Sequence, residues 1–112
     1  MAASRRAQHG IKKAKLAIDK GNAKEFYGLA FRIMQEYLGK RRLLASAGVT
    51  SHVVSDIDPG AIAKETLLKI KDVFYDCYAA RYAPGQFGEH EMRATYDMLV
   101  HAIKELDKVK EL

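Results

Sequence analysis

The chain has 112 residues, 48% hydrophobic and 29% charged, with one cysteine and a formal net charge of +5. That mixture excludes a wholly disordered, collagen-like or disulfide-dense chain and is ordinary for a globular domain. The length implies one domain over 1–112, able to bury about two thirds of its unfolded surface without help from a metal or disulfide.

Four stretches show helical spacing, and apolar–polar alternation never runs beyond a few positions. The sequence therefore predicts an all-α bundle of four main helices with a short extra helical turn. The first helix is expected over 5–20, with Ile11, Ala14, Ala17 and Ile18 on one face. Gly10 weakens its beginning, so residues 1–8 are expected to be frayed or disordered. Gly21 ends it, where a left-handed residue is wanted.

Asn22 is a good N-cap for the second helix, and Glu25 three residues later completes a capping-box pattern. Phe26, Leu29, Ala30, Ile33, Met34 and Tyr37 form its apolar stripe, and it ends over 39–42. So short a break between the two helices forces an antiparallel hairpin. With small Ala14 and Ala17 facing Phe26 and Tyr27, this hairpin is similar to a tetratricopeptide unit, although such folds need about three units to be stable. A looser stretch follows over 43–57, in which Thr50 can cap a short turn through Val54.

Asp58-Pro59 is a start signal for the third helix, predicted over 59–80. Ile62, Thr66, Ile70, Val73, Phe74 and Cys77 mark its buried face. Tyr82-Ala83-Pro84-Gly85 ends it, because proline disfavours a helical residue before it. The fourth helix is expected over 88–110, carrying Met92, Tyr96, Leu99, Val100, Ile103 and Leu106. Helices three and four are expected to pack across the hairpin, pinned by the 82–84 turn.

The charge is unevenly placed. Residues 1–42 hold eleven Lys/Arg and three Asp/Glu, a net +8, while 43–112 hold eight and eleven, a net −3. A basic head calls for an anionic neighbour, whether nucleic acid, lipid surface or acidic protein, unless it is only a solvated face. No run of 18 apolar residues is present, so no membrane span lies inside this sequence, and its start does not read as a secretory signal. The chain itself is expected to be soluble. Cys77 is the one cysteine, which excludes an intramolecular disulfide and fits a reducing compartment.

Chemistry-bearing patterns are sparse. His90 and His101, eleven residues apart, would stand about 16 Å apart on a helix, and no histidine spacing matches a zinc site. Cys77, beside Asp76, reads as a small core residue, since a neighbouring acid raises a thiol's pKa. No nucleophile elbow and no phosphate loop occurs. The expectation is a non-enzymatic chain with no catalytic residue, metal or cofactor.

Arg5, Arg6, Lys12, Lys13, Lys15, Lys20 and Lys24, then Lys40-Arg41-Arg42, could contact phosphates. The aromatic residues, however, fall on apolar stripes and do not interleave with these charges, which argues against nucleic acid. Proximity to a membrane explains the same charges, because cytoplasmic segments beside a span are rich in Lys and Arg. The loop 80–87 admits two readings. One is a helix connection with Tyr82 in the core. The other is a contact surface built on Arg81 and Tyr82, residue types enriched at binding hot spots. The first is favoured.

Three segments occur in an order that resembles a known family. They are Arg5-Arg6 through Ala14-Lys15-Leu16-Ala17 with Gly21-Asn22; Phe26-Tyr27 followed by Glu36-Tyr37-Leu38; and Cys77-Tyr78-Ala79-Ala80-Arg81-Tyr82-Ala83-Pro84 before a long final helix. Over about 5–106 the chain resembles the C-terminal cytoplasmic domain of the BatD-type oxygen-tolerance (aerotolerance) proteins of bacteria. Members carry an exported region and one membrane span ahead of this domain, neither of which lies in this sequence, and the segment 46–57 departs from the shared pattern. The resemblance implies a protein–protein interaction domain at the cytoplasmic face of the inner membrane, working with a MoxR-type AAA+ ATPase and von Willebrand A-domain proteins. It supplies no catalytic residues. The candidate partner-binding residues are Lys12, Lys13 and Arg41 on the basic side and Arg81 and Tyr82 at the loop, with an anionic membrane surface as a further neighbour. The alternative is a small basic nucleic-acid-binding helical domain.

Overall fold

The computed structural model describes residues 2–42, 54, 57, 60 and 62–109. Among the described residues there are four long helices: α1 (Ala2–Asp19), α2 (Ala23–Arg42), α3 (Lys64–Tyr82) and α4 (Glu89–Asp107). A 3-10 turn, Pro84–Gln86, joins α3 to α4. No strand occurs among the described residues, and the architecture is the predicted all-α bundle. The turn expected near Thr50 lies, Val54 apart, outside the described residues; Val54 is helical and buried.

The hairpin turns where the sequence says it should. Gly21 has φ +69°, the left-handed conformation that glycine adopts without a Cβ penalty. Asn22 N–H donates to Ala17 C=O at 3.0 Å and Gly21 N–H to Ile18 C=O at 2.9 Å, the paired bonds of a Schellman close. Asn22 then caps α2: its Oδ1 accepts from Glu25 N–H at 3.0 Å, and its Nδ2 donates to Glu25 Oε2 at 3.2 Å. One residue thus ends α1 and begins α2.

α1 and α2 approach closely because small residues separate them. Ala14 and Ala30 are fully buried, and a Cβ added at Gly10 would lie 2.7 Å from Ile33 Cγ1. Gly10, expected to weaken the helix start, is instead the residue that lets Ile33 in. α1 begins at Ala2, Ala7 is buried, and Ser4 Oγ donates to Asp107 Oδ2 at 2.8 Å.

α3 starts later than its sequence signal. Ala63 is extended (φ −64°, ψ 144°) and its carbonyl accepts the first helical bonds, from Thr66 and Leu67 N–H, so the helix begins at Lys64. Asp58 and Pro59 lie outside the described residues. The predicted buried face, Thr66, Ile70, Val73, Phe74 and Cys77, is buried throughout. α4 opens with a capping arrangement in which Gly88 N–H donates to Glu91 Oε1 at 2.8 Å, and it ends at Asp107, short of the predicted 110.

The 82–84 turn does not pin the bundle through Tyr82. α3 runs two residues beyond the predicted end, which carries Tyr82 away from the buried face and leaves it 84% exposed. Phe87 takes the pinning role, its ring 5.0 Å from that of Tyr27 in a T-shaped pair.

Two polar joints hold the layers. At one end, Tyr37 O–H donates to Asp107 Oδ1 at 2.5 Å, and Arg41 Nη1 donates to Tyr37 Oη at 2.6 Å and to Leu106 C=O at 2.9 Å. Arg41 Nη2 donates to Val109 C=O. In the middle, Thr95 Oγ1 lies 3.0 Å from Asp76 Oδ2 and 3.3 Å from Tyr27 Oη, joining α4 to α3 and α2. No buried side-chain nitrogen or oxygen among the described residues lacks a partner.

Two predictions follow from this packing. An alanine at Gly28, whose Cβ would meet nothing within 4 Å, removes only a helix-propensity penalty and should stabilise the fold by about 1 kcal/mol, whereas Gly10→Ala should destabilise it through the clash with Ile33. Melting temperatures moving in opposite directions would confirm the contrast. Tyr37→Phe leaves Arg41 and Asp107 without their shared hydroxyl and should cost about 1–3 kcal/mol in denaturant unfolding. A variant as stable as the parent would show that the joint is incidental.

Candidate interaction grooves

α2 is central, with α1 on one side and α3 on the other. Its exposed ridge carries Lys24, Gly28 and Arg32 at four-residue steps, which line up along a helix. A groove lies on each side of that ridge.

The α2–α3 groove encloses about 580 Å³. Its floor is apolar: Phe31, Tyr27 and Ala80, with the Cys77 side chain beneath. Its charged rim is entirely cationic, formed by Lys24, Arg32 and Arg81, and no carboxylate lines it. Phe31 is held edge-on by Phe74 at 5.6 Å and Tyr78 at 5.4 Å, while the Arg81 guanidinium lies 5.7 Å from the Phe31 ring centre. Burial first, and Asp76 second, push the Cys77 thiol up to about 12 against the lowering effect of Arg81. A thiol so raised stays protonated at neutral pH, and its side chain forms part of the groove's lining.

The floor is braced from below. Burial pushes the Tyr27 hydroxyl up to about 12, so its proton is retained and available to Thr95. Asp76 is raised above the ordinary carboxyl value by burial first, while the Thr95 hydrogen bond works in the opposite direction.

The α1–α2 groove encloses about 430 Å³. Arg5, Arg6, Lys13 and Arg32 line it, with Glu36 as its one carboxylate. Arg32 therefore serves both grooves.

The sequence-predicted contact residues separate. Lys12 and Lys13 are both exposed, but only Lys13 lines a groove. Arg81 stands on the rim of the α2–α3 groove. Tyr82, one residue on, points about 100° away around the helix. Arg41 is half-buried and spends its donors on Tyr37 and the end of α4, so its charge is turned inward. The residues that sequence reasoning missed are Arg32, Phe31 and Gly28. The four-residue spacing of Lys24, Gly28 and Arg32 was the available signal.

Among the described residues no group of three His, Cys, Asp or Glu side chains could hold a metal ion, and no helix is long and apolar enough to cross a membrane. No family model, curated protein or solved structure matches the chain.

The raised pKa of Asp76 has a definite sign. In the pH window between its unfolded and folded values the native state holds the proton that the unfolded chain has lost, so stability falls as pH rises through the folded pKa. Asp76→Asn abolishes that decline. The difference in melting temperature between variant and parent should grow in the variant's favour from the ordinary carboxyl range upward, then level off. Parallel pH curves would refute the assignment.

Proposed function

We propose that this chain is a non-enzymatic protein–protein interaction module that receives an acidic, partly apolar segment of a partner in the α2–α3 groove. The observation that carries this reading is the combination of an aromatic floor at Phe31 with a rim of Lys24, Arg32 and Arg81 and no carboxylate. Such a site attracts anionic groups and rewards apolar insertion, the two components of a specific interface. The likeness of α1–α2 to a tetratricopeptide hairpin agrees with a recognition role.

The resemblance to BatD-type oxygen-tolerance proteins adds a setting. In it the domain stands on the cytoplasmic side of the bacterial inner membrane, its partners are a MoxR-type AAA+ ATPase and von Willebrand A-domain proteins, and the basic head lies near anionic lipid. The second reading, nucleic-acid binding, draws on the α1–α2 groove, where Arg5, Arg6, Lys13 and Arg32 outnumber Glu36.

Titration of the labelled chain with the MoxR-type ATPase and the von Willebrand A-domain protein of the same organism tests the first reading. Arg81→Glu and Arg32→Glu should each weaken binding by about tenfold or more, a change of about 1.4 kcal/mol. Gly28→Leu should do the same by filling the groove, while Lys12→Glu should matter only for anionic vesicles. Binding that ignores all the groove substitutions would sink this reading. Binding only to RNA or DNA, falling steeply with salt, would replace it with the second.

A further inference from the structure

Few large apolar side chains are strongly exposed among the described residues, and three of them share one helix. Leu68 is 50% exposed, Tyr75 70% and Tyr82 84%. They recur at seven-residue steps along α3. Seven residues turn a helix to within about 20° of the starting direction and advance it about 10.5 Å, so the three form one stripe about 21 Å long. The stripe lies opposite the face of α3 that carries Ile70, Val73 and Cys77 into the core. It takes no part in the α2–α3 groove.

The shoulders of the stripe differ in charge. One carries Lys64 and Lys71; the other carries Glu65 and Asp72. All four are exposed, and none makes an ion pair within the described chain. A two-fold axis parallel to α3 sets the basic shoulder of one copy against the acidic shoulder of the other. Lys71 then meets Asp72 of the second copy, and Lys64 meets Glu65. An antiparallel pairing centred on Tyr75 would set like shoulders together, bring Lys71 level with Ala79 and Asp72 level with Tyr78, and leave all four charges without an opposite partner. An apolar seven-residue seam flanked by opposite charges is the pattern by which two helices choose partner and direction.

We infer that the Leu68–Tyr75–Tyr82 stripe is a self-association surface, which pairs two copies of this chain through parallel α3 helices in register. The aromatic side chains stack across the two-fold axis, and the Lys71–Asp72 pairs set the direction.

Sedimentation velocity of the full chain from about 1 µM to about 1 mM reads the equilibrium directly. The parent should pass from monomer to dimer as concentration rises. Tyr75→Glu should weaken association by roughly tenfold or more while leaving the circular dichroism melt unchanged at concentrations where the parent is monomeric, because the side chain is exposed. Asp72→Lys should weaken it by opposing two lysines across each shoulder, and adding Lys71→Glu to the same chain should restore it. Under oxidation, Leu68→Cys and Tyr82→Cys should each form a disulfide with the same position of the second copy. The buried Cys77 makes the parent a silent control. A parent that stays monomeric throughout overturns the proposal, as does a dimer indifferent to Tyr75→Glu. A dimer in which neither engineered cysteine links to itself overturns the parallel register. A monomer that instead binds phosphatidylglycerol vesicles through Tyr75 and Tyr82 assigns the stripe to lipid and also overturns the proposal.

Discussion

The arrangement of the helices hangs on the joint at Tyr37, Arg41 and Asp107. Three helix ends meet there: the start of α1 through Ser4, the end of α2 through Tyr37 and Arg41, and the end of α4 through Leu106, Asp107 and Val109. The last carbonyls of a helix lack intrahelical partners and carry partial negative charge. Arg41 supplies both donors and positive charge to those of α4, and its cation also lies 5.6 Å from the Tyr37 ring. Burial raises the Tyr37 hydroxyl well above its ordinary pKa, so it remains a donor to Asp107. The Thr95 joint then sets α3 against α4, and α2 is left as the central helix with a groove on each side.

The local part of this fold was legible in the sequence. Gly21-Asn22 announced a left-handed stop and a cap, and each does what its chemistry allows. Apolar stripes on α3 and α4 announced their buried faces, although Thr95 and Ala102 show that small or hydroxyl side chains share the work on α4. What failed to show were contacts between residues distant in the chain. Gly10 looks like a weak point until Ile33 is placed against it. Arg41 looks like part of a basic run until the end of α4 is placed beside it. Tyr82 looks like a core residue only if α3 stops at 80, because two further helical residues turn a side chain through about 200°. Asp58-Pro59, a strong start signal, lies outside the described residues, and α3 itself begins at Lys64 after the extended backbone of Ala63.

The same separation of local from distant information explains the charge. A net +8 over the first 42 residues reads as one basic patch. In three dimensions Arg41 is turned inward, Arg5, Arg6 and Lys13 enter the α1–α2 groove, and Lys24 and Arg32 flank an aromatic floor. Position, more than quantity, distinguishes the grooves. Both grooves set cationic side chains over apolar ones, but the α2–α3 groove has an aromatic floor at Tyr27 and Phe31 and no carboxylate, while the α1–α2 groove has Leu29 and Ile33 and includes Glu36. Sequence alone gave no way to tell that Arg32 is common to both.

Gly28 is the residue that the fold does not explain. An exposed glycine inside a helix costs about 1 kcal/mol relative to alanine, and here neither a turn nor a close neighbour requires it. A bare position between Lys24 and Arg32 does lower the ridge between two cationic side chains, and under the proposed reading it would let the backbone of an acidic partner come close to α2 while its carboxylates reach the rim. This geometry is also compatible with self-association. Arg81 points about 100° away from Tyr82 around α3, so copies paired along the outer stripe would leave both α2–α3 grooves open. Two grooves held on one rigid pair would raise the effective concentration of a second acidic segment on the same partner, giving tighter binding without any additional contact in either groove.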